Sequence, residues 1–418
     1  MMKKFYTDYK TQIKNFSSLS VLNVANYFFS LITFPYVVRV IGVENFGLIS
    51  FAAAFVAYFG FLTDYGFSWS ATQLISINRN EKTKIDKNYS AILFIKIILI
   101  IISLILLSII VFSFDFFNQY SELYFLSFLF VVGTSLFPNW FFQGIEKMGY
   151  ISGITFIFRA ISVAAIFIFI NSPTDYLLLV AINGFTTLFI GIFALTFVQW
   201  KFKIRFAIPS AKEISYYLKY SWDYFISNIG ISFYTNTNTF ILGLFASNTV
   251  VGYWVAADKI RYALLMFFGT FQQTFFPYIT KLINENYDVA IRKIKKILHW
   301  GGLISFFISL IVFLFSSQIC LIVLGEGYSN SIPILRIISW LPFLIYLSNI
   351  FGLQLMLNLG FKKAFAKIIL IAAFINVALS FIIVPVYYAI GTAVAVTVTE
   401  IFVTLATYLY IKRKNILK

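Results

Sequence analysis

Apolar residues run through this chain in long blocks rather than in alternation. Twelve such blocks stand out, at 17–41, 46–74, 90–113, 122–143, 150–170, 176–199, 222–245, 250–276, 298–324, 332–357, 364–385 and 389–411. A helix rises about 1.5 Å per residue, so about 20 apolar residues cross the hydrocarbon of a bilayer. The pattern therefore predicts an all-α integral membrane protein of about twelve spans. The polar stretches between blocks are short and leave no space for a domain outside the membrane. The N-terminal MMKKFYTDYKTQIKNF is basic, and the block after it lacks a small-residue cleavage site. It reads as an uncleaved first span rather than a signal peptide.

Composition removes the other classes. Of 418 residues, 60% are hydrophobic, 20% aromatic and only 11% charged. A soluble fold has too little polar surface here to cover itself, and a disordered chain needs low hydrophobicity. The single cysteine, Cys320, forms no disulfide within the chain, and with one histidine, His299, it builds no Cys/His metal cluster. His299 lies in the basic run KKILHW, a poor setting for a Ser-His-Asp triad.

The formal net charge of +16 raises the question of nucleic acid. The positions of the charges answer it. With the N-terminus placed in the cytoplasm, 25 of the 32 lysines and arginines fall on the tails and loops of that side. The opposite loops, near 43–45, 114–121, 171–175, 246–249, 325–331 and 386–388, hold no lysine or arginine. This is the positive-inside asymmetry. It predicts a multi-pass membrane protein with both termini cytoplasmic, and no nucleic-acid partner.

The twelve blocks divide at the polar stretch 201–221 into an N-terminal lobe, 1–200, and a C-terminal lobe, 222–418. Six spans per lobe would relate the halves by an axis along the membrane normal. VENFGLISFAAA (43–54) and NTVVGYWVAADK (248–259) echo each other, each with a glycine (Gly47, Gly252) before a run of small residues.

Seven cations remain inside or beside the blocks: Arg39, Lys96, Arg159, Lys259, Arg261, Arg336 and Lys367. Lys96, Arg336 and Lys367 lie within a turn or two of a block's end, from where a long side chain reaches the interface. Arg39 is near the outer end of its block. Arg159, Lys259 and Arg261 are deeper, where a charge costs about 2.5–3.5 kcal/mol on insertion scales unless it meets water or a partner. Two explanations stand: internal salt bridges, such as Asp258 with Arg261 at i,i+3, or a hydrated basic lining suited to an anionic substrate. Asp64, Asp258 and Glu400 are acids able to hold a coupling proton or Na⁺, or to neutralise a neighbouring cation. Asn236 and Asn238, in the polar run YTNTNT, could meet sugar hydroxyls or bond between helices. Trp69, Trp200, Trp300 and Trp340 read as interfacial anchors. No catalytic residue, resident cofactor or metal ligand is expected.

The run PNWFFQGIEKMGY (138–150) resembles the signature of Wzx-type polysaccharide flippases, within the multidrug/oligosaccharidyl-lipid/polysaccharide exporter superfamily. FPYVVRVIGVENFGLISFA (34–52), VGYWVAADKI (251–260) and NVALSFIIVPVYYAIGTAVAVTVTE (376–400) are similar to it as well. The resemblance implies a fold like those of MATE and MurJ proteins: two six-helix lobes, with spans 1, 2, 7 and 8 lining a cavity. It implies a substrate of undecaprenyl pyrophosphate joined to an O-antigen or related oligosaccharide unit, moved from the cytoplasmic to the outer leaflet by alternating access. Arg39, Asp64, Asp258, Lys259 and Arg261 would approach that cavity. A polymerase and a chain-length regulator of the same pathway, and membrane lipids, would be its partners.

Two rivals remain at this level. A cation-coupled drug exporter of the same superfamily would want an acidic lining where this one counts basic. A polysaccharide polymerase would want a large outer loop carrying Arg and His, and the outer loops here are short and lack both.

Overall fold

In the computed structural model the backbone is described for residues 10–416. The side chains of 10–28, 30, 31, 227–236, 267, 270–278, 281 and 284 fall outside the described residues. The elements are α1 (Lys10–Asp64), α2 (Phe67–Ile77), α3 (Lys82–Ser113), the single turn α4 (Asp115–Asn118), α5 (Ser121–Leu136), α6 (Asn139–Gly144), α7 (Gly149–Phe169) and α8 (Tyr176–Phe202). They continue as α9 (Ala211–Phe245), α10 (Asn248–Glu285), α11 (Tyr287–Leu314), α12 (Ser316–Val323), α13 (Ser331–Ile338), α14 (Leu341–Asn349) and α15 (Lys362–Arg413). A π-helical stretch, Ile350–Leu357, extends α14, and no strand occurs among the described residues.

Helices α1 and α15 are each two spans joined through one non-helical residue, Gly42 (φ 76°) and Tyr388 (φ 47°). Gly42 adopts that backbone without a Cβ penalty, whereas Tyr388 bears a cost that only its surroundings can offset. Split at these points, and with α2, α6, α12 and the α13–α14–π run counted as parts of broken spans, the described residues form twelve membrane-length helices. Several helices outrun their apolar blocks at the basic end. The third begins at Lys82 rather than near 90, the seventh at Ala211, and the ninth at Tyr287. Apolarity marks the membrane's thickness, while helical hydrogen bonding continues into the interface.

The chain divides into two compact units. The first holds residues 1–41 and 52–232, and the second holds 42–51 and 233–418. In the first unit α5 and α8 approach backbone to backbone. A Cβ on Gly191 would stand 2.5 Å from the Gly133 carbonyl oxygen, and one on Gly184 would stand 2.9 Å from that of Leu126. Small residues allow such contact where lipid supplies no hydrophobic drive between helices. Nearer the basic end lies an aromatic core of Phe67, Tyr89, Trp140, Phe141, Phe142 and Tyr217. Trp140 is therefore a packing residue. The Tyr217 hydroxyl donates to Asn88 Oδ1 (2.6 Å), and burial pushes its pKa up to about 12. The stretch after α8 is tied down as well: Ser90 Oγ donates to the Arg205 carbonyl (3.3 Å) and accepts from the Ala207 amide (3.1 Å). Ser210 and Glu213 then cap α9 reciprocally.

In the second unit α10 packs on α11, α13, α14 and α15. Tyr346 is buried and donates to the Ile297 carbonyl (2.8 Å), tying α14 to α11. The segment 42–51 enters this unit through Gly47, which lies against Asn248 and Gly252. Phe51, fully covered, stacks on Phe240 at 5.8 Å and fills the space left by the absent side chain of Gly243. Cys320 is buried and free.

Candidate functional site: charged groups within the spans

Arg159, in the middle of α7, is half-buried. Its Nε is shut off from solvent and has no hydrogen-bond partner. No carboxylate lies within ion-pair distance of it among the described residues. Arg39, in the same unit, is exposed.

Lys96 departs from expectation. It does not snorkel from a helix end. Because α3 starts at Lys82, Lys96 is four turns in and 3% exposed. Its Nζ lies 3.5 Å from Asp64 Oδ1, at the last residue of α1. The same carboxylate oxygen accepts from Ser68 Oγ (2.6 Å) in the first turn of α2. A break at Tyr65 (φ 45°) and Gly66 (φ 74°) turns the chain between Asp64 and Ser68. The geometry thus gives Asp64 the role of neutralising a buried cation.

In the second unit Arg261 Nε donates to Asp258 Oδ1 at 2.7 Å, and Nη2 approaches the same oxygen at 2.6 Å. This is the i,i+3 pair the spacing allowed. Lys259, between them in sequence, is exposed. Of the three deep cations, one is therefore neutralised along its own helix. Arg336 is held by hydroxyls, its Nε donating to Ser316 Oγ at 2.9 Å, and Lys367 is exposed.

The polar run of α9 is described from Thr237 onward, so the Asn236 side chain lies outside the described residues. Asn238 is buried and accepts from Ser380 Oγ on α15 (3.2 Å), a bond between helices. Trp254 Nε1 donates to Thr239 Oγ1 (3.1 Å), so this indole is a buried packing group with its one donor met. Glu400 is buried on the second half of α15. Beside it Thr399 Oγ1 accepts from Asn376 Nδ2 (3.3 Å), while the Oδ1 of Asn376 is buried without a partner. Sequence reasoning missed Asn376 and Ser380 because single polar residues inside apolar blocks carry no periodic signal. Trp69, Trp200 and Trp300 are largely exposed, as anchors should be, and Trp340 packs between Phe306 and Phe313.

Comparison with known proteins places these groups in a family. A model described as "Polysaccharide biosynthesis protein" matches residues 13–283. The chain is 34% identical over 407 residues, 97% of each chain, to a protein of Escherichia coli (strain K12) named "Putative O-antigen transporter". It is 28% identical to a protein of the same name from Shigella dysenteriae, over 94% of this chain and 98% of the relative. Among solved structures, the lipid II flippase MurJ in an inward closed conformation superposes with a TM-score of 0.66 at 15% identity, covering 97% of this chain and 89% of that one. An inward-facing MATE-family multidrug transporter of the MOP superfamily gives 0.64 at 14% identity, covering 95% and 98%. At such identities the likeness is one of fold. The family match and the E. coli relative make this multi-pass membrane chain a member of the polysaccharide biosynthesis protein family, with a fold like those of MurJ and MATE transporters.

Proposed function

We propose that the chain carries an undecaprenyl-pyrophosphate-linked oligosaccharide, an O-antigen unit or a related repeat, from the cytoplasmic to the periplasmic leaflet of the inner membrane by alternating access. A pyrophosphate-sugar head cannot enter hydrocarbon, because shedding its hydration is prohibitive. A basic, hydrated passage removes that barrier while the polyprenyl tail stays in lipid. The observation that carries this reading is Arg159: a guanidinium within a span, uncompensated by any described carboxylate. Its planar fork suits a phosphate oxygen pair. Arg39 in the first unit and Lys259 in the second are exposed, and Arg261 presents its charge against Asp258. No bond is made or broken in the transport itself, so catalytic side chains are not needed.

Coupling to H⁺ or Na⁺ belongs to the same proposal. Asp64 and Asp258 each face a cation. Glu400, buried beside the Asn376–Thr399 pair, is the acid we assign to the coupling ion. A drug-exporter reading draws no comparable support, since Asp64 and Asp258 are engaged by Lys96 and Arg261.

The test is a strain lacking this chain. Lipid-linked repeat units should accumulate on the cytoplasmic face, and plasmid-borne wild type should clear them. Glu400→Gln should clear them slowly and lose its dependence on the ion gradient. Continued translocation with altered polymer length would instead favour the polymerase reading.

A further inference from the structure

The most specific motif of the sequence, 138–150, is unused by the transport proposal. Its place in the first unit suggests a separate task. Helix α6 ends in a two-bond C-terminal cap: the Glu146 amide donates to the Gln143 carbonyl (3.0 Å) and the Lys147 amide to that of Phe142 (2.9 Å). The residue at the left-handed position of such a cap is usually glycine. Here it is Glu146, at φ 57°. A strained backbone persists when the side chain it places is needed. The Glu146 carboxylate accepts from Arg79 Nη1 at 3.0 Å, and Lys147 lies over the Phe202 ring at 5.2 Å.

Arg79, Lys147 and Phe202 border a pocket of about 240 Å³. Arg79, Lys147 and Lys82, the last paired with Asp86, are its charged lining residues, and Phe141, Phe202 and Ile204 are among its apolar ones. That volume is several times the ~30 Å³ share of one liquid water. Cations beside apolar residues, at the basic end of a membrane unit, match a group that is anionic at one end and hydrocarbon at the other. Arg79 keeps donors beyond the one given to Glu146, so an anion can join or displace that carboxylate.

We propose that this pocket binds the phosphate-bearing headgroup of a lipid, with Glu146 acting as an internal competitor for Arg79. The site stands apart from the transport proposal and survives its failure, because it is read by equilibrium binding.

The full chain, purified in uncharged detergent, is titrated by native mass spectrometry with phosphatidylglycerol, undecaprenyl pyrophosphate, diacylglycerol of matched chains, and inorganic phosphate. Binding of at least one phosphate-bearing lipid should exceed that of diacylglycerol and of inorganic phosphate by about tenfold or more. Saturation by phosphatidylglycerol identifies membrane lipid as the source. Saturation by the pyrophosphate alone identifies the transported lipid. The double variant Arg79→Gln, Lys147→Gln should lose about tenfold, and Arg292→Gln with Lys296→Gln, exposed cations elsewhere, should lose none. Glu146→Gly keeps the turn and frees Arg79, so it should tighten binding several-fold at unchanged thermal stability. Equal losses in both double variants, or weaker binding in Glu146→Gly, would overturn the site. So would inorganic phosphate binding as well as the lipids, or no lipid exceeding diacylglycerol.

Discussion

Gly47 and Gly252 meet with no side chain between their helices: a Cβ placed on Gly47 would stand 2.6 Å from the Gly252 amide nitrogen and run into the Asn248 carbonyl. A Cβ on Gly252 would in turn strike the Val43 carbonyl. The obstacles are backbone atoms, which cannot rotate away. Alanine at either position should therefore cost about 1–3 kcal/mol, the range for overpacking a well-fitted core. Thermal unfolding in detergent should show Gly47→Ala and Gly252→Ala each destabilised. Alanine at Gly153, with nothing within 4 Å of its added Cβ, should not be.

The pair formed by Asp64 and Lys96 is asymmetric, and so should be its variants. Lys96 is sealed in, whereas the Asp64 side chain is 28% exposed. Asp64→Asn strands a buried ammonium and should cost about 3–5 kcal/mol. Lys96→Met leaves a carboxylate that can still find water and should cost less. The double variant should recover most of the loss. Denaturant or thermal unfolding of the four proteins completes the cycle, and equal single losses that simply add would deny the ion pair.

How much of this was readable beforehand follows from what sequence pattern encodes. The twelve apolar blocks gave twelve spans because membrane thickness acts on every residue of a block. The glycines of the two similar stretches, 43–54 and 248–259, were visible, but their mutual contact was not. Nor was the grouping of 42–51 with 233–418. Lys96 was misread because a hydropathy block ends where lipid ends, while α3 continues for two further turns to Lys82. Asp258 and Arg261 were found since their spacing is local, whereas Asp64 and Lys96 are 32 residues apart and joined only by tertiary packing.

The tie between Lys87 and Glu213 sets a pH response at the start of α9. The Lys87 ammonium, aided by the amide and hydroxyl of Ser210, holds the Glu213 carboxyl down at about 2. A depressed carboxylate contributes stability that is complete above its ordinary value near 4.5 and fades as pH falls toward about 2. Amide exchange in residues 207–214 should thus rise below pH 4.5 in wild type, after correction for intrinsic rates. In Glu213→Gln it should be raised already at neutral pH and flat across that window. A wild-type profile as flat as the variant's would rule out the tie.

We propose that Arg159, a cation within a span with no carboxylate in reach among the described residues, receives the phosphorylated head of the substrate. Proteoliposome translocation of undecaprenyl-pyrophosphate-linked oligosaccharide, compared between wild type and Arg159→Ala at equal folded protein, tests it most directly. Losing charge-assisted hydrogen bonds worth about 1.5–3 kcal/mol should slow transport about 10- to 100-fold, with Arg159→Lys between the two. Transport by Arg159→Ala at the wild-type rate would contradict the account.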